Sequence, residues 1–360
     1  MTDLKAQYRS IKKDVNFAAR QVLNGCAFVL GKQVAVFEEA VSRYQGVKYA
    51  VGVASGTDAL ALALCACGIK DGDEVITTPF TFIATAEAIF RAGAKPVFCD
   101  IKEDYNIDAD KIESRITPKT KAILPVHLYG LPCDMDKIMA LAAKYRLKVI
   151  EDCAQSFGSE YKSRKTGAIG SCGALSFFPS KNLGCYGDGG MVVTNNKDIR
   201  EKLVMLRNHG SDSKYHYSMH GFNSRLDTLQ AAILNVKIKH IDKWVYRRIV
   251  NAGLYNRLLG LSRNIVTPEI PKGVKHSFNY YTIRLKEGRA AVQERLKKRK
   301  IPWAVYYPLC LHLQPVYKKL NYKRGDFPVA EQMQEEVLSL PMYPELKAVQ
   351  IKHIAKAVLN

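Results

Sequence analysis

Between residue 47 and about residue 195, short apolar runs alternate with segments whose apolar positions recur every three or four residues. That pattern predicts strands alternating with helices in a layered α/β domain. Val47–Ala54 predicts a strand, followed by Ser55-Gly56-Thr57-Asp58 and a helix over Ala59–Cys67 that stops at Gly68. Glu74–Thr77 predicts the next strand and Phe82–Arg91 its helix. Lys95–Asp100, Ala122–Val126, Lys148–Glu151, Gly173–Phe178 and Gly190–Thr194 read as further strands, and Asp134–Tyr145 as a helix. A mostly parallel sheet covered by helices is the expected result.

Beyond residue 196 helices dominate: Asp198–Arg207, then Ser224–Leu259 as one long bent helix. After Pro268 and Pro271 the spacing predicts a strand over Tyr280–Leu285, a helix over Ala290–Lys300, a strand over Ala304–Tyr307 stopped by Pro308, and a helix over Val329–Leu338. The expected division is a large α/β domain with the N-terminal segment over 1–250, and a smaller α+β domain over 251–360.

Composition narrows the classes. No apolar run approaches the roughly 18 residues of a membrane span, and the N-terminus shows no signal-peptide core, so the cytoplasm is expected. The nine cysteines are odd in number and contain no Cys-x-x-Cys, which predicts buried thiols and neither a disulfide framework nor a metal site. Residues 1–120 hold 15 of the 54 Lys and Arg and 15 of the 34 Asp and Glu, so the remainder carries the whole +20. Clusters at Lys237–Arg248 and Arg295–Lys300 suit anionic partners or are solvated helix faces. No helix-turn-helix, RNP or zinc-finger signature supports a nucleic-acid-binding role.

Three segments can carry chemistry. Ser55-Gly56-Thr57-Asp58 turns a strand into a helix N-terminus, where free N–H groups suit a phosphate or simply need a cap. Glu151-Asp152-Cys153-Ala154-Gln155 puts carboxylates at a strand's carboxyl end, to hold a ring nitrogen or a metal, or to cap the next turn. Lys181 stands between an apolar strand and a glycine-dense turn, in a window with no other charge before Asp188; desolvated there, its amine is easier to deprotonate. Phosphate cradle, carboxylate and lysine, the last two 29 residues apart, follow the chain order of aspartate-aminotransferase-like pyridoxal-phosphate (PLP) enzymes, which they resemble.

The sequence also resembles the DegT–DnrJ–StrS family of PLP-dependent nucleotide-sugar aminotransferases along almost its whole length. The matching stretches are Asp3-Leu4-Lys5-Ala6-Gln7-Tyr8, Ala54–Leu60, Pro79-Phe80-Thr81-Phe82-Ile83-Ala84-Thr85, Pro125–Gly130, Glu151–Gln155, Ser176–Gly184, Asn223-Ser224-Arg225-Leu226-Asp227, and Tyr307-Pro308 followed by His312-Leu313-Gln314-Pro315. The resemblance implies PLP fold type I, with Lys181 carrying the cofactor as a Schiff base and Asp152 pairing with its pyridinium nitrogen. Gln155 would lie near the ring hydroxyl and Phe82 on the ring face, with Gly56, Thr57 and Ser176 at the phosphate. Asn223 would reach that phosphate from the neighbouring subunit of a homodimer. Arg225, Tyr306, Tyr307 and His312 would serve the substrate, although many relatives have His where Tyr306 stands. The related sugar dehydratases carry His in place of the lysine, so Lys181 speaks against that branch.

The implied activity is amino transfer from an amino acid, L-glutamate, by way of pyridoxamine phosphate (PMP), to a keto group of a nucleotide-linked hexose. The Phe178–Gly184 version of the lysine motif resembles the branch that acts at C3 rather than C4. A PLP-dependent elimination or dehydration on a nucleotide sugar is the rival enzyme reading.

Overall fold

The computed structural model describes residues 1–360. Seven strands form its central sheet: β1 (Tyr49–Val53), β2 (Glu74–Thr77), β3 (Lys95–Phe98), β4 (Thr120–Ile123), β5 (Lys148–Asp152), β6 (Cys172–Ser176) and β7 (Gly190–Thr194). Their spatial order is β1-β7-β6-β5-β4-β2-β3. The pairs from β6 to β3 are parallel, whereas β7 runs antiparallel to both β6 and β1. Strands covered on both faces need apolar side chains on both faces, and Glu74–Thr77 and Gly190–Thr194 are buried at every position.

The helices that the sequence pattern predicts between and after these strands are present, among them α3 (Gly56–Ala66), α4 (Ala84–Arg91), α5 (Met135–Tyr145) and α6 (Lys197–Leu206). Two N-terminal helices that it left unread precede them: α1 (Leu4–Gly25), capped by Asp3 Oδ1 accepting from Ala6 N at 2.9 Å, and α2 (Lys32–Gln45). The long bent helix is α7 (Thr228–Lys237) and α8 (Ile241–Leu259), joined through a 3₁₀ turn at Ile238–His240.

In the C-terminal part, β8 (Ile265–Val266), β9 (Tyr281–Leu285) and β10 (Val337–Leu340) form an antiparallel sheet, packed with α9 (Arg289–Lys298), α10 (Pro328–Glu336) and α11 (Ala348–Leu359). Two expectations change here. Ala304–Tyr307 forms no strand, only a bridge from Ala304 to Ser339. The helix expected to reach Leu338 ends at Glu336, and Val337 starts β10 because its backbone pairs with Arg284 of β9. Residue 250 lies within α8, whose Ile241, Trp244 and Val245 join the large-domain core while Ala252, Tyr255 and Leu259 join the C-terminal one. Phe327, Ala330 and Met333 pack into the core of the central sheet, so the C-terminal segment sits directly beside the strand ends.

Candidate active site

The carboxyl ends of parallel strands are where open α/β sheets bind ligands, and there a cavity of about 510 Å³ opens. Its floor begins where β1 passes into α3. Ser55 is extended and its Oγ accepts from Asp58 N at 3.1 Å, which caps the helix and leaves the earlier N–H groups of the first turn free. Gly56 has no room for a side chain, since a Cβ there would lie 2.6 Å from Ser176 Cβ. That contact brings the end of β6 against the start of α3, so Gly56, Thr57 and Ser176 share one wall.

Asp152 ends β5 and is buried. Its Oδ2 accepts from Thr85 Oγ1 at 2.8 Å and its Oδ1 from Ala154 N at 3.1 Å. Burial raises its pKa, and these two bonds and the Lys181 amine only partly offset that rise. Lys181 is half-buried on the loop after β6, its backbone N–H donating to Phe178 O at 2.9 Å. Desolvation lowers its amine to about 8, against the pull of Asp152. An amine near neutrality and a buried carboxylate thus face one cavity, the two groups that perturbed-pKa reasoning seeks in an active site.

Aromatic side chains close the remainder. Gln155 Oε1 accepts from Tyr129 N at 2.8 Å and its Nε2 donates to Tyr307 Oη at 3.0 Å. The Tyr307 ring lies 6.2 Å from that of Phe82, and Tyr306 packs on Tyr280 at 4.3 Å. Tyr129 Oη donates to the Tyr306 carbonyl.

Nine of the twelve residues singled out from the sequence line this cavity: Gly56, Thr57, Phe82, Asp152, Gln155, Ser176, Lys181, Tyr306 and Tyr307. Three do not. His312 is buried away from it, edge-on to Phe327 and 3.0 Å from Glu331 Oε1; in this structure it is a core contact, not a cavity residue. Asn223 is exposed, and Arg225 donates to Asn208 Oδ1 at 2.9 Å, both outside the cavity of their own chain. Thr85, Phe178, Ser180 and Tyr280 line the cavity without having been singled out. Thr85 closes the quoted Pro79–Thr85 stretch, one helical turn after Thr81, which is the signal that could have found it.

The buried trio His127, Glu151 and Cys153 has metal-like proximity, but the lone pairs of Glu151 and His127 are taken. Glu151 accepts from the backbone N–H groups of Gly167, Ile169 and Gly170 at 2.7–2.8 Å. Because His127 Nδ1 accepts from Cys133 N at 3.1 Å, its proton is on Nε2, which donates to Glu151 at 3.0 Å.

The residues present fit PLP: a tight helix-start wall for a phosphate, a buried carboxylate whose charge is poorly compensated, and a desolvated amine. Fold and site define an α/β enzyme of the PLP-dependent aminotransferase type. The chain belongs to the DegT/DnrJ/EryC1/StrS aminotransferase family, whose model matches residues 9–359. It is 47% identical over 99% of its length, and 96% of the relative's, to a UDP-N-acetyl-3-dehydro-alpha-D-glucosamine 3-aminotransferase of Acidithiobacillus ferrooxidans. It is 46% identical, over 99% of its length and 97% of the relative's, to a protein of Geobacillus stearothermophilus named a pleiotropic regulatory protein. The structure of S. venezuelae DesV in complex with a ketimine intermediate superposes with a TM-score of 0.97 at 41% identity, covering 99% of this chain and 96% of that one. A Bacillus subtilis protein of 32% identity, superposing with a TM-score of 0.89, was solved with bound PMP, and the enzyme is PLP/PMP-dependent like its family.

Proposed function

We propose that this enzyme moves an amino group from L-glutamate to the C3 keto group of a nucleotide-linked hexose. The observation that carries the reading is the convergence of Lys181 and Asp152 on one cavity at the strand ends; the preference for C3 rests on similarity to the 3-aminotransferase above. When bound, PLP supplies the electron sink for such a transfer. Lys181 Nζ is the group we assign to holding the cofactor and to taking and returning the substrate proton, for which an amine near neutrality is suited. Asp152 keeps the ring nitrogen protonated, with Thr85 and Ala154 N fixing its two oxygens. Gly56, Thr57 and Ser176 hold the phosphate, Phe82 the ring face and Gln155 the ring hydroxyl. Tyr306 and Tyr307 border the sugar, while His312, held in the core, serves it only through the wall it supports.

The reading includes a homodimer in which Asn223 and Arg225 complete the partner's site, and the cytoplasm as the compartment, in keeping with nine free cysteines. The test is to add L-glutamate to the PLP-loaded enzyme and follow 2-oxoglutarate release and loss of the visible absorbance, then add UDP- and dTDP-linked 3-keto and 4-keto hexoses. Amine appearing on the 3-keto sugars is expected. No 2-oxo acid from any amino donor would favour the elimination chemistry, and amination of 4-keto sugars alone would move the site to C4.

A further inference from the structure

Away from the cavity, two thiols approach each other at the opposite end of the elements that build it. Cys67 ends α3 and Cys172 starts β6, and their sulfurs are 3.6 Å apart. A disulfide requires about 2.05 Å, so closing it brings the two sulfurs about 1.5 Å nearer. The two thiols are unlike. Cys172 is fully buried, whereas Cys67 is partly open to solvent. The hydrogen bond from Cys172 lowers the pKa of Cys67 against its burial, and Lys148 and Lys202 add to that; Cys172 is pushed the other way. The thiolate is the reactive form, which makes Cys67 the attacking sulfur and Cys172 the one that resolves.

We propose that Cys67 and Cys172 are an oxidation site at which hydrogen peroxide closes a disulfide between α3 and β6. Cys67 thiolate attacks one peroxide oxygen and breaks the O–O bond, becoming a sulfenic acid while hydroxide leaves. Cys172 sulfur then attacks the Cys67 sulfur, the S–O bond breaks, and the Cys172 proton leaves with that oxygen as water. The two thiols lose two electrons and the peroxide gains them. Because α3 begins at Gly56 and β6 ends at Ser176, the crosslink ties together the far ends of the two elements that meet at the phosphate wall. It encloses a loop across 105 positions of sequence, long enough for a marked restriction of the unfolded chain.

The reduced PLP-loaded enzyme is treated with hydrogen peroxide, denatured with alkylating agent, and mapped by peptide mass spectrometry. Exposed Cys26 reports whether oxidant reached the protein. The expected result is a joined pair of peptides containing Cys67 and Cys172, a loss of about 2 Da at that pair, reversal by dithiothreitol, and a thermal midpoint raised by several degrees. In Cys172→Ala, Cys67 should pass to sulfinic acid with no crosslink; in Cys67→Ser, Cys172 should stay alkylatable. Recovery of Cys67 and Cys172 both alkylated after Cys26 has reacted overturns the proposal. So does sulfinic acid at Cys67 in the wild-type chain without the crosslink.

Discussion

Thr85 donates its hydroxyl proton to Oδ2 of Asp152 across 2.8 Å, and Thr81 Oγ1 lies 3.0 Å from the same hydroxyl. Since Thr85 spends its one proton on the carboxylate, Thr81 must donate to it, giving a chain Thr81→Thr85→Asp152 in a buried setting. The segment that starts α4 therefore aims the carboxylate that ends β5. Aim matters because a charge-assisted partner contributes only where its geometry is fixed in advance.

Thr85→Val keeps the shape of the side chain and removes that donor. The expected outcome is a fall in kcat of at least about tenfold, the worth of one hydrogen bond of about 1.5–3 kcal/mol to a charged group, with KM for the sugar little changed. Thr85→Ser should restore most of the loss. A kcat within twofold of wild type in Thr85→Val would mean that Ala154 N suffices to aim Asp152.

Lys181 gives a pH signature. Burial holds its folded pKa at about 8, below the ordinary 10.5, so the amine is protonated below pH 8 and free above it. The rate at which apoenzyme captures PLP should rise about tenfold per pH unit up to about pH 8 and then level off. Asp152→Asn, which removes the charge that favours the protonated amine, should move the midpoint lower. Stability carries a matching sign: from about pH 8 to 10.5 the unfolded lysine binds more protons than the folded one, so this group adds stability as pH rises. Stopped-flow absorbance measures the capture rate. In Lys181→Ala, borohydride should fix no cofactor to the chain at all.

The alternation from residue 47 to 195 made the central sheet legible, because strands buried on both faces and amphipathic helices leave opposite signatures. Helix α1 was harder to read: over 22 residues it buries only Gln7, Ile11, Val15 and Val22, a thin stripe in a polar helix. The step from α10 into β10 is set by pairing of Val337 with Arg284, a partner 53 residues earlier that local spacing cannot reveal. The same limit applies within the site. Motifs located Lys181 and Asp152, whereas the burial of His312 depends on Glu331 and Phe327, which no local pattern joins to it.

Glu151 offers a test of stability apart from chemistry. Burial pushes its pKa up, but His127 and the N–H groups of Gly170 and Gly167 outweigh that and hold it below its usual range. A depressed carboxylate adds stability that is present above its unfolded pKa of about 4.5 and is lost as pH falls through the folded value. Glu151→Gln turns an amide N–H₂ towards donors and should cost about 1–3 kcal/mol for the donors left without an acceptor, read as a lower urea midpoint at pH 7. That cost should shrink as pH falls through the folded pKa of Glu151, where the wild-type carboxylate also gains a proton. A midpoint unchanged at pH 7 would show that the ionised form is not what the three backbone donors hold.

The chain keeps Asn223 and Arg225 out of its own cavity. Asn223 is exposed beside the Asn208–Asn223 bridge, and Arg225 is tied to Asn208. At the cavity, Phe178 remains 52% exposed, an apolar ring that a second subunit would cover. Take a Lys181→Ala chain and an Asn223→Ala/Arg225→Ala chain, each nearly inactive alone. If Asn223 and Arg225 act across a two-fold interface, one site of a mixed dimer collects every defect and the other collects none. The intact site draws Lys181 from the double variant and Asn223 with Arg225 from its partner. Random pairing makes about half the dimers mixed, each with one good site of two, so about a quarter of wild-type activity should return after co-expression. Tagging both chains verifies the mixing. Verified mixed dimers as inactive as their parents would place Asn223 and Arg225 in the service of their own subunit, and the shared-site reading would fall.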